Sequence, residues 1–180
     1  KVKYAEIVKN AVSIPVAASG NLKHPSYVDA IISEGKCDLV ALGRTSICDP
    51  HWVNKCKAGR EDLIRKCLGC MNCNKSVVAG KNLHCAINPV TGRATVYGDE
   101  NLVKTGAGRT VAVVGGGPGG MQAALLLKKR GYYPVIFESR DHLGGSAVLA
   151  SKAPCKGMVA ELIETMKAEM KEYHIEVRLN

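Results

Sequence analysis

The chain has 180 residues, of which 46% are hydrophobic and 4% aromatic, and its formal net charge is +9 at pH 7. This hydrophobic content excludes global disorder, and no apolar run approaches the ~18 residues that a membrane span needs. The lysines and arginines are scattered rather than gathered in a stripe, which argues against nucleic-acid binding, whereas anionic cofactors would explain part of the charge.

Residues 1–55 alternate between helical and strand-like patterns. Residues 25–33 have the apolar spacing of an amphipathic helix, and short apolar runs lie on either side of it at residues 14–20 and 39–43. Short apolar runs separated by helices predict parallel strands that are buried on both faces.

Each of these two apolar runs ends in a glycine followed by a polar residue. The two pairs are Gly20-Asn21 and Gly43-Arg44. In a (β/α)8 barrel the loops after the last two strands commonly bind a phosphate, and Arg44 would add a charge-assisted donor. The alternative is that these are ordinary strand-end glycines and that Arg44 forms a surface ion pair.

Residues 56–108 are rich in Gly and Asn, have weak periodicity and contain four clustered cysteines. Cys67, Cys70 and Cys73 are separated by two residues each, and eleven residues precede Cys85. Three thiolates from one tight loop and a distant fourth are typical of an iron–sulfur cluster, here [4Fe–4S]. Structural zinc with His84 as a further donor, and four unligated thiols, remain as alternatives.

The chain has eight cysteines and no signal peptide. This combination indicates metal or redox chemistry rather than disulfides, and we expect a cytoplasmic protein. The remaining cysteines lack partners at ligand spacing and are predicted to be small buried hydrophobes. They are Cys37, Cys48, Cys56 and Cys155.

Residues 109–180 follow a strand–helix–strand pattern. The predicted elements are a strand at residues 111–114, a helix at 117–130, a strand at 135–138 and a strand-like end at 175–179. A stripe at helical spacing precedes that end and predicts a sheet-facing core. Its members are Val159, Leu162, Ile163, Met166 and Met170.

A GxGxxG pattern connects the first strand of this segment to its helix. Gly115, Gly117 and Gly120 form the pattern, and Glu138 ends the next strand. In that context the pattern predicts a dinucleotide site in which the helix N-terminus binds the pyrophosphate and Glu138 binds the ribose. Gly145 offers another close backbone approach. The alternative is a structural glycine turn.

The order of these features resembles the multidomain relatives of old yellow enzyme. That family includes 2,4-dienoyl-CoA reductase, trimethylamine dehydrogenase, enoate reductases and the bile-acid-inducible NADH:flavin oxidoreductases. Residues 14–20 and 39–44 look like the last two strands of its barrel, and residues 59–70 and the Cys85-x-x-Asn88-Pro89 motif look like its cluster segment. Thr45-Ser46-Ile47 departs from the more usual Pro-Phe-type stretch.

The resemblance implies an α/β fold in three parts. Residues 1–55 would be the last two β/α units of a flavin barrel, residues 56–108 an iron–sulfur segment with a linker, and residues 109–180 the N-terminal part of a Rossmann-like FAD/NAD(P)-binding domain. The implied FMN-phosphate contacts are Gly20, Asn21, Gly43 and Arg44. The implied FAD (or ADP) contacts are Gly115, Gly117, Gly120, Glu138 and Gly145, and the implied cluster ligands are Cys67, Cys70, Cys73 and Cys85.

The resemblance also implies an enzyme in which NAD(P)H reduces FAD and electrons pass singly through the cluster to FMN. The FMN would then reduce an activated C=C bond of an enoate or enoyl-CoA. We interpret the chain as a fragment that is inactive alone, with its catalytic residues upstream. Its expected partners are a small-molecule substrate and the missing parts of the same protein, and a homo-oligomer is compatible with the sequence.

Three other functions remain open at this point. Within the family, the chain would belong to an amine dehydrogenase of the trimethylamine type. Outside it, the chain would be an electron-transfer module without substrate chemistry, or a zinc-stapled nucleotide-binding domain.

Overall fold

Parallel β-sheets form in both halves of the chain in the computed structural model, which describes all 180 residues. The chain divides into two units, Lys1–Cys70 and Met71–Asn180. Helices and parallel strands alternate in each unit, so the predicted mixed α/β class is confirmed. None of the helices combines the length and the apolar character that a bilayer crossing demands.

In the first unit, a βαβ crossover brings two short strands side by side. The strands pair in parallel with Ser19 opposite Ala41, so both end at the same edge. The elements are α1 (Val2–Lys9), β1 (Ala17–Ser19), α2 (Pro25–Ser33), β2 (Leu39–Ala41), α3 (Gly43–Cys48), α4 (Trp52–Lys57) and a 3₁₀ turn at Glu61–Leu63.

These two strands are buried less than the sequence predicts. Ala18 is buried in the core together with Val28 and Ile31 of α2. Leu39, in contrast, is 58% exposed. The prediction of burial on both faces is therefore wrong, because α2 contributes core residues to one face and the unit buries little of the other.

In the second unit, three parallel strands follow the cysteine segment in the order β3-β4-β5. The elements are α5 (Asn72–Val78), α6 (Ala94–Tyr97), a 3₁₀ turn at Asp99–Asn101, β3 (Thr110–Val114), α7 (Pro118–Lys129), β4 (Tyr133–Glu138), α8 (Ser146–Ser151), α9 (Gly157–Glu172) and β5 (Glu176–Leu179). Each predicted strand and helix of this unit is found, with ends that differ by one or two residues.

Helices α7 and α9 supply most of the core of this unit. Ile136 of β4, which has no exposed surface, belongs to the same core. The predicted α9 stripe is confirmed at four of its five positions, and Val159 is half-buried. The buried residues of the two helices include Met121, Ala124, Leu125, Leu162, Ile163, Met166 and Met170.

The segment just before β3, predicted as a linker, is hydrogen-bonded to the end of α7. The amide of Gly106 donates to the carbonyl of Arg130 at 2.9 Å, and the amide of Gly108 donates to the carbonyl of Gly131 at 3.0 Å. Arg130 also donates through Nη2 to the hydroxyl of Thr105 at 2.9 Å. These bonds order the chain that leads into β3.

Candidate functional site

The glycine loop runs from the end of β3 into α7, as the GxGxxG pattern predicts. The amide of Gly115 donates to the carbonyl of Phe137 at 2.8 Å and extends the β3–β4 pairing by one residue. Gly117 is the N-cap of α7, and Pro118 opens the helix. The first turn of α7 therefore presents amides without intrahelical partners, and the helix dipole makes this end favourable for anions.

Two neighbouring glycines in the first turn of α7 differ in whether a side chain could be accommodated at their position. A Cβ added at Gly120 would overlap the carbonyl oxygen of Gly115, a backbone atom that cannot move aside cheaply. A Cβ added at Gly119 would meet nothing within 4 Å. The close packing of strand and helix therefore depends on Gly120, the third glycine of the pattern, and not on Gly119.

A second glycine turn, at Gly144 and Gly145, lies against the glycine loop. The amide of Gly144 donates to the carbonyl of Gly116 at 2.9 Å. A Cβ added at Gly145 would lie 3.1 Å from the Cα of Gly117, so the two backbones meet without side chains between them. The structure thus brings Gly145 to the glycine loop.

Glu138 ends β4 and its carboxylate is hydrogen-bonded to the glycine loop. Oε2 accepts from the amide of Gly116 at 2.7 Å, and Oε1 accepts from the amide of Arg140 at 3.0 Å. The Gly116 amide lowers the pKa of Glu138, with a smaller contribution from the Arg140 amide. The carboxylate therefore stays ionised and holds the loop, a role that the sequence pattern does not reveal.

The two strand-end loops of the first unit lie at one edge of its sheet. Gly20 and Asn21 follow β1, and Gly43 and Arg44 open α3 directly after β2. Since the strands pair in parallel with ends in register, the backbone of both loops emerges on the same side. Arg44 is half-buried. The geometry thus brings together the two glycine-containing loops that the sequence singled out.

Thr45 joins these two loops, whereas the sequence marked it only as part of a departure from the family's pattern. It is buried, and its Oγ1 donates to the carbonyl of Leu22 at 2.7 Å, which ties α3 to the loop after β1. A threonine after Gly-Arg has no distinctive spacing, so only the packing of α3 against that loop reveals the contact.

The four clustered cysteines are in no disulfide and lie at half-buried or exposed positions. Cys67 Sγ accepts from the amide of Gly69 at 3.4 Å, a contact that suits a ligating thiolate. Cys73 lies in the first turn of α5. These donors fit an iron–sulfur cluster in their chemistry. No group of three or more His, Cys, Asp or Glu side chains is arranged in the structure to hold a metal ion, so ligation stays a prediction.

The other four cysteines were predicted to be buried. Cys37 and Cys48 are buried and Cys56 is half-buried. Burial raises the pKa of the Cys56 thiol, which makes it less reactive. Cys155 is exposed, so the prediction is wrong there. It lies in the turn between α8 and α9 and has a positive φ of 62°.

Two family models and several known proteins match this chain. Residues 1–63 match the NADH:flavin oxidoreductase / NADH oxidase family, and residues 113–162 match the NAD(P)-binding Rossmann-like domain. An NADH oxidase from Thermoanaerobacter brockii is 39% identical over 99% of this chain and 27% of its own length. An N,N-dimethylglycine/sarcosine dehydrogenase from Chromohalobacter salexigens is 35% identical over 96% of this chain and 25% of its own length.

The solved structure of a 2-naphthoyl-CoA reductase in complex with 2-naphthoyl-CoA is similar as well. It has a TM-score of 0.92 and 28% identity, and the match covers 99% of this chain and 27% of that one. This chain spans about a quarter of the length of these relatives. The resemblance found in the sequence is thus confirmed. Residues 1–63 are thus similar to the NADH:flavin oxidoreductase / NADH oxidase family, and residues 113–162 are similar to a Rossmann-like NAD(P)-binding domain.

Proposed function

We propose that this chain is part of an iron–sulfur flavoprotein oxidoreductase. In the whole protein, electrons from NAD(P)H would reach FMN through FAD and a [4Fe–4S] cluster, and an activated C=C bond of an enoate or enoyl-CoA would be reduced. The observation that carries the proposal is the glycine loop with Glu138 bound to it, in a chain whose first 63 residues match a flavin oxidoreductase family. The remaining parts of the same protein and a small-molecule substrate are the partners that this function requires.

The glycine loop is the proposed site for FAD (or ADP). Gly117 and Gly145 are half-buried glycines whose backbones approach each other closely, and the first turn of α7 would offer amides to a pyrophosphate. The Glu138 carboxylate has acceptor capacity beyond its bonds to the loop, so it would accept from ribose hydroxyls as well. Gly115 and Gly120 support this cradle by allowing the turn and the close packing of α7.

The strand-end loops of the first unit are the proposed FMN-phosphate site. Gly20, Asn21 and Gly43 would contribute backbone groups, and the Arg44 guanidinium would bind phosphate oxygens with two parallel hydrogen bonds. Their shared sheet edge supports the proposal, since phosphate sites of (β/α)8 barrels lie at the carboxyl ends of the last strands. Residues 1–55 would accordingly be the last two β/α units of such a barrel.

The proposed cluster ligands are Cys67, Cys70, Cys73 and Cys85, within the segment 56–108 that precedes the nucleotide domain of residues 109–180. Their spacing, the absence of disulfides between them and the amide on Cys67 Sγ support the assignment. A cluster bound by cysteines supplies one-electron transfer, which allows two flavins to exchange the electrons of a hydride singly.

Absorption spectroscopy and metal analysis test the cluster. The chain, purified without oxygen, should be brown and contain about four iron atoms and as many acid-labile sulfides per molecule. Cys70→Ser should lower the iron content by at least half, whereas Cys155→Ser, which changes an exposed cysteine outside the motif, should leave it unchanged. A colourless chain with one zinc ion would instead support the zinc-stapled nucleotide-binding module.

An amine dehydrogenase is the second candidate function. It is favoured by the similarity to the N,N-dimethylglycine/sarcosine dehydrogenase. The two functions differ in the direction of electron flow. A reductase would oxidise NAD(P)H in the presence of an α,β-unsaturated acid or its CoA thioester. An amine dehydrogenase would oxidise a methylated amine and pass the electrons to an artificial acceptor. A whole protein with the cluster but without either activity would support a non-catalytic electron-transfer module.

A further inference from the structure

A buried ion pair in the first unit has no part in the sites described above. Asp49 lies between α3 and α4, and its side chain is 3% exposed. Lys55 of α4 places Nζ 2.6 Å from Asp49 Oδ2. Removing these charges from water is costly, and an apolar pair of similar size often stabilises a fold as well or better. The role of the pair therefore depends on the other groups that its carboxylate and ammonium bind.

Both members of this pair bind the backbone of one short segment. Asp49 Oδ2 also accepts from the amide of Arg65 at 3.0 Å. Lys55 Nζ also donates to the carbonyl of Leu63 at 2.7 Å. Between these two residues, Ile64 has no exposed surface and anchors the same segment in the core. The backbone is thus fixed on both sides of Ile64.

A third contact completes the attachment of this segment. Cys48 Sγ donates to the carbonyl of Arg65 at 3.0 Å, so both backbone groups of Arg65 are bonded to the stretch from Cys48 to Asp49. Cys67 follows two residues later, and its carbonyl accepts from Lys23 Nζ at 3.4 Å. The chain that leads to Cys67 is therefore held by residues 48–55 at residues 63–65 and by Lys23 at Cys67 itself.

A neighbouring ion pair, Arg60–Asp62, is more exposed. The two side chains are within 3.1 Å of each other and are 38% and 51% exposed. Two hydrogen bonds from Arg60 join them and lower the pKa of Asp62, and the backbone amide of Leu63 also contributes to this lowering. Asp62 therefore offers a matched control for Asp49: an ion-paired aspartate close in sequence to the same segment.

We propose that the Asp49–Lys55 pair positions Cys67 for cluster binding, by fixing the backbone of residues 63–65. The inference rests on the proposed cluster. Asp49 and Lys55 are positioning residues and ligate nothing. A thiolate held near its bound direction before the metal arrives loses less conformational freedom on binding, so the bound state is tighter and slower to dissociate.

The test compares the double variant Asp49→Leu/Lys55→Met with the control Asp62→Asn. The double variant removes both charges together, so no unpaired buried charge remains to unfold the unit. Each chain is loaded with iron and sulfide under anaerobic conditions, and the release of iron to a ferrous chelator is followed by absorbance. Changes in groups that orient metal ligands commonly cost ~10–100-fold in affinity, so we expect release at least ~10-fold faster from the double variant and an unchanged rate from the control.

Two outcomes distinguish a failure of the inference from a failure of the proposed cluster. Equal release rates from the folded double variant and the control would overturn the inference and leave the cluster in place. A wild-type chain that takes up no iron would overturn the proposed cluster itself, and with it the inference.

A measurement without substitutions keeps the inference testable if the double variant does not fold. In the iron-free wild-type chain, the Arg65 amide should exchange its hydrogen at least ~100-fold more slowly than the amide of Lys66 next to it, because a buried carboxylate accepts it. Equal exchange at the two positions would overturn the inference.

Discussion

Substitutions at adjacent glycines of α7 should change stability in opposite directions. In Gly120→Ala the new methyl group would overlap the carbonyl oxygen of Gly115, and a rigid helix and a strand end would have to separate. Forced overpacking of this kind costs about 1–3 kcal/mol. In Gly119→Ala the methyl group meets nothing within 4 Å, and the helical backbone suits alanine. That change should stabilise by about 0.4–1 kcal/mol, because it restricts the unfolded chain.

The two variants give a direct comparison by thermal unfolding. For a unit of this size, 1 kcal/mol corresponds to about 4 °C in Tm. We therefore expect Gly120→Ala to lower the transition of the second unit by about 4–12 °C and Gly119→Ala to raise it by about 2–4 °C. Circular dichroism and calorimetry would follow the transition. Equal Tm values for the two variants would refute the steric argument, since both replace a glycine in the first turn of the same helix.

Two further predictions concern hydrogen bonds to the candidate cofactor loops. Since the pKa of Glu138 is lowered, its stabilising contribution is present above the unfolded value of 4.5 and is lost as the pH falls through the folded value. Between about pH 5 and pH 3, the wild type should therefore lose more stability than Glu138→Gln, as measured by urea unfolding at each pH. Equal losses in the two proteins would argue against the Gly116 contact. Thr45→Val leaves the carbonyl of Leu22 without its 2.7 Å donor and should cost about 1–2 kcal/mol, whereas Ser46→Ala, at an exposed position, should cost less than about 0.5 kcal/mol. Unfolding of this unit can be followed by the fluorescence of Trp52, whose indole donates to the carbonyl of Lys23. Equal losses of unfolding free energy in the two variants would contradict the assigned role of Thr45.

Local patterns were sufficient for most of the secondary structure. The helix at Pro25–Ser33 was predicted with its observed bounds, since a proline start and apolar spacing are both local signals. The strand, glycine loop, helix and acidic strand end of residues 110–138 were found for the same reason. Their order along the chain also pointed to the family that the comparisons confirm.

The roles of individual side chains depended on contacts between distant positions. Glu138 and Gly116 are 22 residues apart, and the glycine pattern predicts a ribose contact for Glu138 but no bond to Gly116. Thr45 and Leu22 are 23 residues apart, and no spacing rule connects them. The same holds for Asp49, whose carboxylate meets the Arg65 amide 16 residues later. Such bonds form because packing brings two loops together, and packing has no local signature in the sequence.

The sequence by itself determined the elements, their order, the family and the cysteine motif, because these follow from periodicity and spacing. The sequence pattern singled out Gly120 and not Gly119, and the tertiary structure identified the atom that makes Gly120 necessary, the Gly115 carbonyl oxygen. It also decided that one face of the β1–β2 pair is poorly covered and that Cys155 is exposed, because burial depends on which elements pack together. Ligation by the four cysteines still rests on their spacing, since the convergence of thiols on a cluster depends on the cluster being bound.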